Sequence, residues 1–349
     1  VRPAPGGQVI AVTGAGGVGS VAGAGAPPSY AVTELAELPA LGGLYARGAV
    51  GSVAKRPRAD VALPPAAYRV TDVDTTGTGP RLAAYQRVVG EPASDVLSAG
   101  FLHVLAFPLA TAVMVRPDFP LGLLGMVHLR NAVRVLRPVR LGDDGVEVTA
   151  WAENARAHRR GVQVDLVAEI LAAGELAYRG VSTYLAKGFT LPGVGAAEPG
   201  RPGGSADDGA RPRTSGAGRD SWVPPLPTAR WRLGKDIGPA YGAVSGDRNP
   251  IHLSSLGAKA FGFPRAIAHG MYTAARALAE VGPARRGDAY EWTAEFFKPV
   301  LLPGSVDLAI RYASDAGADV LPGSAGGFVY DGWRTGRAVR HLAGAVAPL

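Results

Sequence analysis

Two halves of the chain repeat one another, and that repetition constrains the fold more than any other feature. Tyr85-Gln-Arg-Val88-Val-Gly90-Glu91 matches Tyr241-Gly-Ala-Val244-Ser-Gly246-Asp247 at an offset of 156 residues. Phe101-Leu-His103 matches Ile267-Ala-His269 at 166, and Arg137-Pro138-Val139 matches Lys298-Pro299-Val300 at 161. Three matches in one order, with offsets that drift little, indicate an internal duplication. Each copy reads as a short helix, a longer apolar helix and then alternating segments. These segments are 125–137, 146–157, 161–172 and 175–186 in the first copy, and 290–300, 305–313, 326–333 and 337–346 in the second. Period-two alternation predicts antiparallel strands. The expected fold class is α+β: a tandem pair, each a long helix wrapped by an antiparallel sheet, with the sheets meeting edge to edge as a pseudo-dimer.

Between the copies, residues 191–226 are dominated by Pro, Gly and polar residues, with almost nothing large and apolar before Trp222. Such a composition buries too little surface to offset its ordering entropy. The reading is therefore a Gly/Ala-rich leader and N-terminal extension over 1–64, a first copy over 65–190, a flexible linker over 191–226 and a second copy over 227–349, with 1–33 and 195–220 expected to be mobile and exposed. The leader contains a decoy. Val9 to Gly19 reads as a strand followed by a Gly14-x-Gly16-x-x-Gly19 turn, but Ala22-Gly-Ala-Gly-Ala-Pro27-Pro28 follows where a dinucleotide fold needs a helix. No nicotinamide or other cofactor is expected from it.

Composition narrows the function classes. The chain of 349 residues has no Cys, which removes disulfides, thiolate nucleophiles and cysteine metal sites. Its net charge of +7 suits an acidic partner. Arg130, Arg134, Arg137, Arg140, Arg156, Arg159 and Arg160 fall on polar strand faces without interleaved aromatics, so no nucleic acid is expected. The longest apolar run, Phe101 to Val115, is too short to cross a bilayer. The first 33 residues lack a compact signal-peptide core, so a cytoplasmic protein is expected. There is no HExxH pair, no metal-ligand cluster and no Gly-x-Ser-x-Gly elbow, and no metal is expected.

The copies differ most between the short and the long helix. The second copy carries Asp247-Arg-Asn249-Pro250-Ile-His252, then Ala258-Lys259-x-x-Gly262 and Arg265, then Ile267-Ala-His269-Gly270-Met271. Asp followed by Asn-Pro is a common turn, and His252 alone would be an ordinary loop residue. Taken together at this spacing, the residues resemble the signature of the MaoC-like dehydratases. That family includes the (R)-specific enoyl-thioester hydratases, or hydratase 2, and has the hot-dog fold. The first copy looks like the degenerate first hot dog of double-hot-dog members, and residues 1–60 lie outside the resemblance.

The resemblance implies a 3-hydroxyacyl-thioester dehydratase, or enoyl hydratase in reverse, acting on acyl-CoA or acyl carrier protein. Asp247 and His252 would be the catalytic pair, and the Gly270 amide would stabilise the thioester oxyanion. Adding water to an unsaturated thioester needs a group to activate water at C3 and a proton for C2. An imidazole and a carboxylate can exchange those near neutrality, though which handles which proton stays open. Gly270 opens a helical run whose first N–H groups lack internal acceptors. Asn249 is expected to hold the loop, His269 to start the helix, and Lys259 and Arg265 to support substrate binding. His103 and His128, in the copy without the motif, are expected to be core or strand residues. The missing segment there would leave room for a longer acyl chain. A non-catalytic acyl-binding or scaffolding subunit is the alternative, and either a monomeric pseudo-dimer or a homodimer fits.

Overall fold

A seam between two strands joins the halves into one eleven-stranded sheet. The computed structural model describes residues 25–54, 62–123, 125–189, 222–314 and 326–349. The Gly14–Gly19 turn and most of the linker lie outside them. The first half contains β2 (Ala66–Val70), α2 (Gly79–Val89), α3 (Ala99–Met114), β3 (Met126–Val135), β4 (Glu147–His158), β5 (Gly161–Ala172) and β6 (Glu175–Lys187). It is preceded by β1 (Ala31–Glu34) and α1 (Leu41–Ala54). The second half contains β7 (Ala229–Leu233), α4 (Ile237–Ser245), α5 (Pro250–Leu253), α6 (Ser255–Ala260), α7 (Gly270–Val281) and α8 (Pro283–Arg286). It ends with β8 (Tyr290–Phe296), β9 (Gly304–Tyr312), β10 (Phe328–Arg334) and β11 (Arg340–Pro348).

The strand order β1-β2-β4-β5-β6-β3-β8-β11-β10-β9-β7 reads the same from either side of the β3–β8 seam, apart from the extra β1. Each half is five antiparallel strands around one long helix, the tandem pair that the duplication predicts and the double hot dog that the resemblance implies. The seam runs antiparallel from Arg130 opposite Glu295 to Val135 opposite Tyr290, with Arg134 paired to Glu291 at 3.0 Å. Helix α3 is apolar all round and buried along nearly its whole length, including Pro108, which explains an apolar run that spans no membrane. Among the described residues no helix is long and apolar enough to cross a bilayer.

Strands β2 and β7, five residues each, precede the short helices and lie outside the strands expected from alternation. The C-terminal part of the extension is structured: β1 pairs parallel with β2, and α1 packs on α3 through Leu41 and Leu44. The copies also align differently around the long helices. Leu97 N–H donates to Val139 O and Ala268 N–H donates to Val300 O in equivalent ladders. Ser98, not His103, therefore corresponds to His269, because the helix start and not the imidazole is the shared feature. Gly90 and Gly246 both cap the short helices with positive φ (75° and 79°), which turns the next residue inward. Nine positions then lead to Ala99 in the first half and twenty-four to Gly270 in the second.

Candidate active site

Those additional residues form α5 and α6 and fold back over the start of α7. Asn249 caps α5: its side chain accepts the Ile251 N–H at 3.4 Å, and its own N–H donates to Asp247 Oδ1 at 3.1 Å. Pro250 occupies the first helical position, where its missing N–H costs nothing. His252 follows within one turn, buried, with Nδ1 at 2.9 Å from the Ile267 carbonyl. A carbonyl only accepts, so Nδ1 carries the proton and Nε2 keeps the lone pair. By the same logic His269, the N-cap of α7, donates from Nε2 to the Asp247 carbonyl at 2.9 Å. The two imidazoles stack with centroids 3.7 Å apart. Asp247 keeps 21% of its side chain open, with Oδ2 3.8 Å from His269 Nε2.

Burial alone would raise the Asp247 carboxyl pKa. His269, His252, the Tyr45 hydroxyl and the Asn249 amide outweigh it and hold the group below the usual carboxylate range. Burial depresses His252 against the pull of Asp247 and the Ile267 carbonyl. It takes His269 down to about 3, helped by His252 and opposed by Asp247. Near neutrality the site therefore holds an ionised carboxylate beside two neutral rings. One ligand atom from each of Asp247, His252 and His269 falls within 4.8 Å of the others, a spacing a metal could use. Each ring, however, has already committed one nitrogen to a backbone carbonyl, and in His269 it is the nitrogen that faces the carboxylate.

Gly270 sits at the first position of α7, where a Cβ would stand 3.1–3.2 Å from the Phe296 ring. Lys259 is exposed on α6 and Arg265 is half-buried. Among the described residues neither is joined to the pair by a hydrogen bond or an ion pair. Three residues outside the motif approach Asp247. Tyr45 of α1 donates to Oδ1 at 2.6 Å. His103 on α3 and Tyr184 on β6 lie close enough for the carboxylate's charge to act on them. Nothing local in the sequence ties these three to Asp247, since each comes from another element. His103 and His128 are helix and strand residues as expected, but they also form a wall: His128 stacks on Tyr184 at 4.5 Å and meets Phe296 at 5.0 Å. Behind them a narrow crevice with space for one water at most runs into the first half, lined by His103, Phe107, Leu166, Tyr178, Ser182 and Tyr184.

The equivalent place in the first half is filled. Glu91, at the Asp247 position, accepts from Ser98 Oγ at 2.8 Å and pairs with Arg286 of α8 at 3.3 Å. The Tyr290 hydroxyl accepts the Ala99 N–H at 3.2 Å, so the counterpart of the Gly270 amide is occupied by protein.

The family model of the MaoC like domain matches residues 228–316, the segment that carries the pair. The 3-hydroxyacyl-thioester dehydratase X of Mycobacterium tuberculosis is 35% identical over 281 residues, covering 78% of this chain and 89% of that protein. A crystal structure of HtdX from the same organism superposes with a TM-score of 0.61 at 30% identity, over 80% of this chain and all of the other. The MaoC-like dehydratase of Phytophthora capsici, at 16% identity and a TM-score of 0.54, shares the fold over 85% of this chain and 98% of its own. With the duplicated fold and the Asp247–His269 segment, these similarities place the chain in the MaoC-like dehydratase family.

Proposed function

We propose that the protein is an (R)-specific 3-hydroxyacyl-thioester dehydratase, working as a 2-enoyl-thioester hydratase in reverse. The observation that carries this reading is an ionised, half-open Asp247 beside a neutral His252 whose Nε2 lone pair is uncommitted to the backbone. In hydration, one water donates to the carboxylate and to Nε2. His252 takes a proton as the oxygen attacks C3, and Asp247 stabilises the imidazolium. Negative charge gathers on the thioester oxygen, where the Gly270 N–H at the start of α7 is placed to donate. The imidazolium returns its proton to C2 on the same face, and dehydration runs these steps backwards. No metal or redox cofactor enters this sequence.

The acyl chain is directed toward the first half, on the side where His103 and Tyr184 line a narrow crevice. The thioester is carried by coenzyme A or acyl carrier protein, with exposed Lys259 and half-buried Arg265 available to the carrier's phosphates. Asp247→Asn and His252→Ala each lower kcat for enoyl-CoA hydration by roughly 10²–10⁴, the usual weight of positioned acid–base groups. Undiminished hydration by both variants would sink the assignment. Chiral analysis of the product reads the (R) configuration, and kcat/KM on matched CoA and carrier-protein substrates separates the two carriers.

A further inference from the structure

The N-terminal extension reaches the proposed pair from far away in sequence. Tyr45 Oη lies 2.6 Å from Asp247 Oδ1, across a separation of 202 residues. Helix α1 is anchored for this contact. Leu41 and Leu44 are buried against Ala112, with Phe107 and Val115 beside them. Leu41 also fills the space over Gly246, where a Cβ would stand 2.8 Å from Leu41 Cδ1. Tyr45 follows Leu41 by four positions and so projects from the same helix face. The extension is thus wedged against the residue that precedes the carboxylate.

We propose that Tyr45 is a positioning residue of the hydratase site, holding one oxygen of Asp247 so that the other stays aimed at water. The inference rests on the reading of Asp247 and His252 as the catalytic pair. Two donors, the Tyr45 hydroxyl and the Asn249 N–H, converge on Oδ1. Oδ2 is the oxygen 3.8 Å from the His269 imidazole. A carboxylate gripped along one edge cannot swing about its terminal torsion, and that restraint lowers the cost of reaching the transition state.

The surroundings leave this role to few groups. The carboxylate is faced by Tyr45 from α1, His103 from α3, His128 from β3, Tyr184 from β6 and Tyr241 from α4. His252 and His269 complete the shell. Burial drives the tyrosines up and the histidines down, so near neutrality these side chains are uncharged. Beside the two imidazoles, hydrogen bonding stabilises the carboxylate, and Tyr45 supplies the shorter of the two bonds to Oδ1.

The test is Tyr45→Phe, which keeps the ring and removes the donor. We expect kcat to fall about 10- to 50-fold, the weight of a hydrogen bond to a charged group, with KM changed less than about threefold. The acid limb of the kcat profile should move to higher pH, because losing the donor makes the carboxyl easier to protonate; a purely structural role would not shift it. In the Asp247→Asn background the same substitution should cost nothing further. An infrared difference titration follows the carboxyl directly and needs no turnover. An unchanged kcat with an unmoved limb overturns the inference, as does a rise in kcat, which would mean the hydroxyl obstructs water. Full activity of Asp247→Asn would instead remove the underlying assignment of the pair.

Discussion

Gly270 is where the smallest side chain carries the largest consequence. Its N–H heads α7, and the space beside its Cα is taken by Phe296, which in turn meets His128 in the crevice wall. A methyl group there must push the Phe296 ring by a few tenths of an ångström and would stand where a thioester approaches the backbone. Gly270→Ala is therefore expected to lower kcat/KM by about tenfold or more, on the scale of a weakened oxyanion contact. Alanine costs a helix less than glycine does, so the melting temperature should hold or rise. Steady-state kinetics beside a thermal melt separates the two effects, and a stability loss matching the activity loss would contradict this account.

At the scale of elements, both halves bring together the C-cap of a short helix and the N-terminus of a long one. One junction is open to water; the other is closed by Arg286, which also lies 5.2 Å over the Tyr290 ring. The two partners of the closing ion pair are not equivalent. Glu91 can take a proton, and burial already pushes its pKa up against Ser98 and Arg286. Arg286 cannot lose its charge. Urea unfolding should accordingly show Glu91→Gln costing about 3 kcal/mol and Arg286→Met clearly less, while turnover per folded molecule stays within a few-fold in both. Equal costs would mean that the carboxyl does not relax by protonation.

The same junctions show what can be read from a sequence. Asp247, Asn249, His252 and His269-Gly270 are legible because one continuous segment carries them, and its backbone caps place them. Tyr45 is not, because its partner is 202 residues away and α1 is punctuated by Gly42, Gly43, Gly48 and Gly51, which read as leader. The pairing of His103 with His269 misleads for a related reason. An imidazole is conspicuous, whereas the N-cap role that Ser98 shares with His269 is visible only in the backbone.

The molecule as a whole concentrates neutral histidine in its interior. Burial takes His103 down to about 4 and His128 and His269 to about 3, and lowers His252 and His341 as well. In the unfolded chain each returns to about 6.5. Below that pH the unfolded state binds protons that the folded state refuses, so stability is full above about pH 6.5 and declines on acidification toward the folded pKa values. Each such group contributes up to about 1.4 kcal/mol per pH unit in that window. A melting series from pH 7.5 to 4.5 should fall steeply below 6.5, and His103→Gln should flatten the slope. A midpoint constant down to pH 5 would show that the rings are protonated within the fold. The edge-to-edge pairing of two like sheets was foreseeable from the duplication, but β2 and β7 were not, nor β1, whose exposed Ala31–Glu34 carries no alternation to announce it.

The β3–β8 seam has a genetic consequence. Where two identical subunits meet at such an edge, every substitution is copied into both, and a change that widens one chamber widens its twin. Here a single reading frame encodes two unlike partners. A mutation at Phe107 or Leu166, which line the crevice in the first half, is made once and has no forced copy beside Asp247 and His252 across the seam. Selection can then change one half without imposing the same change on the other.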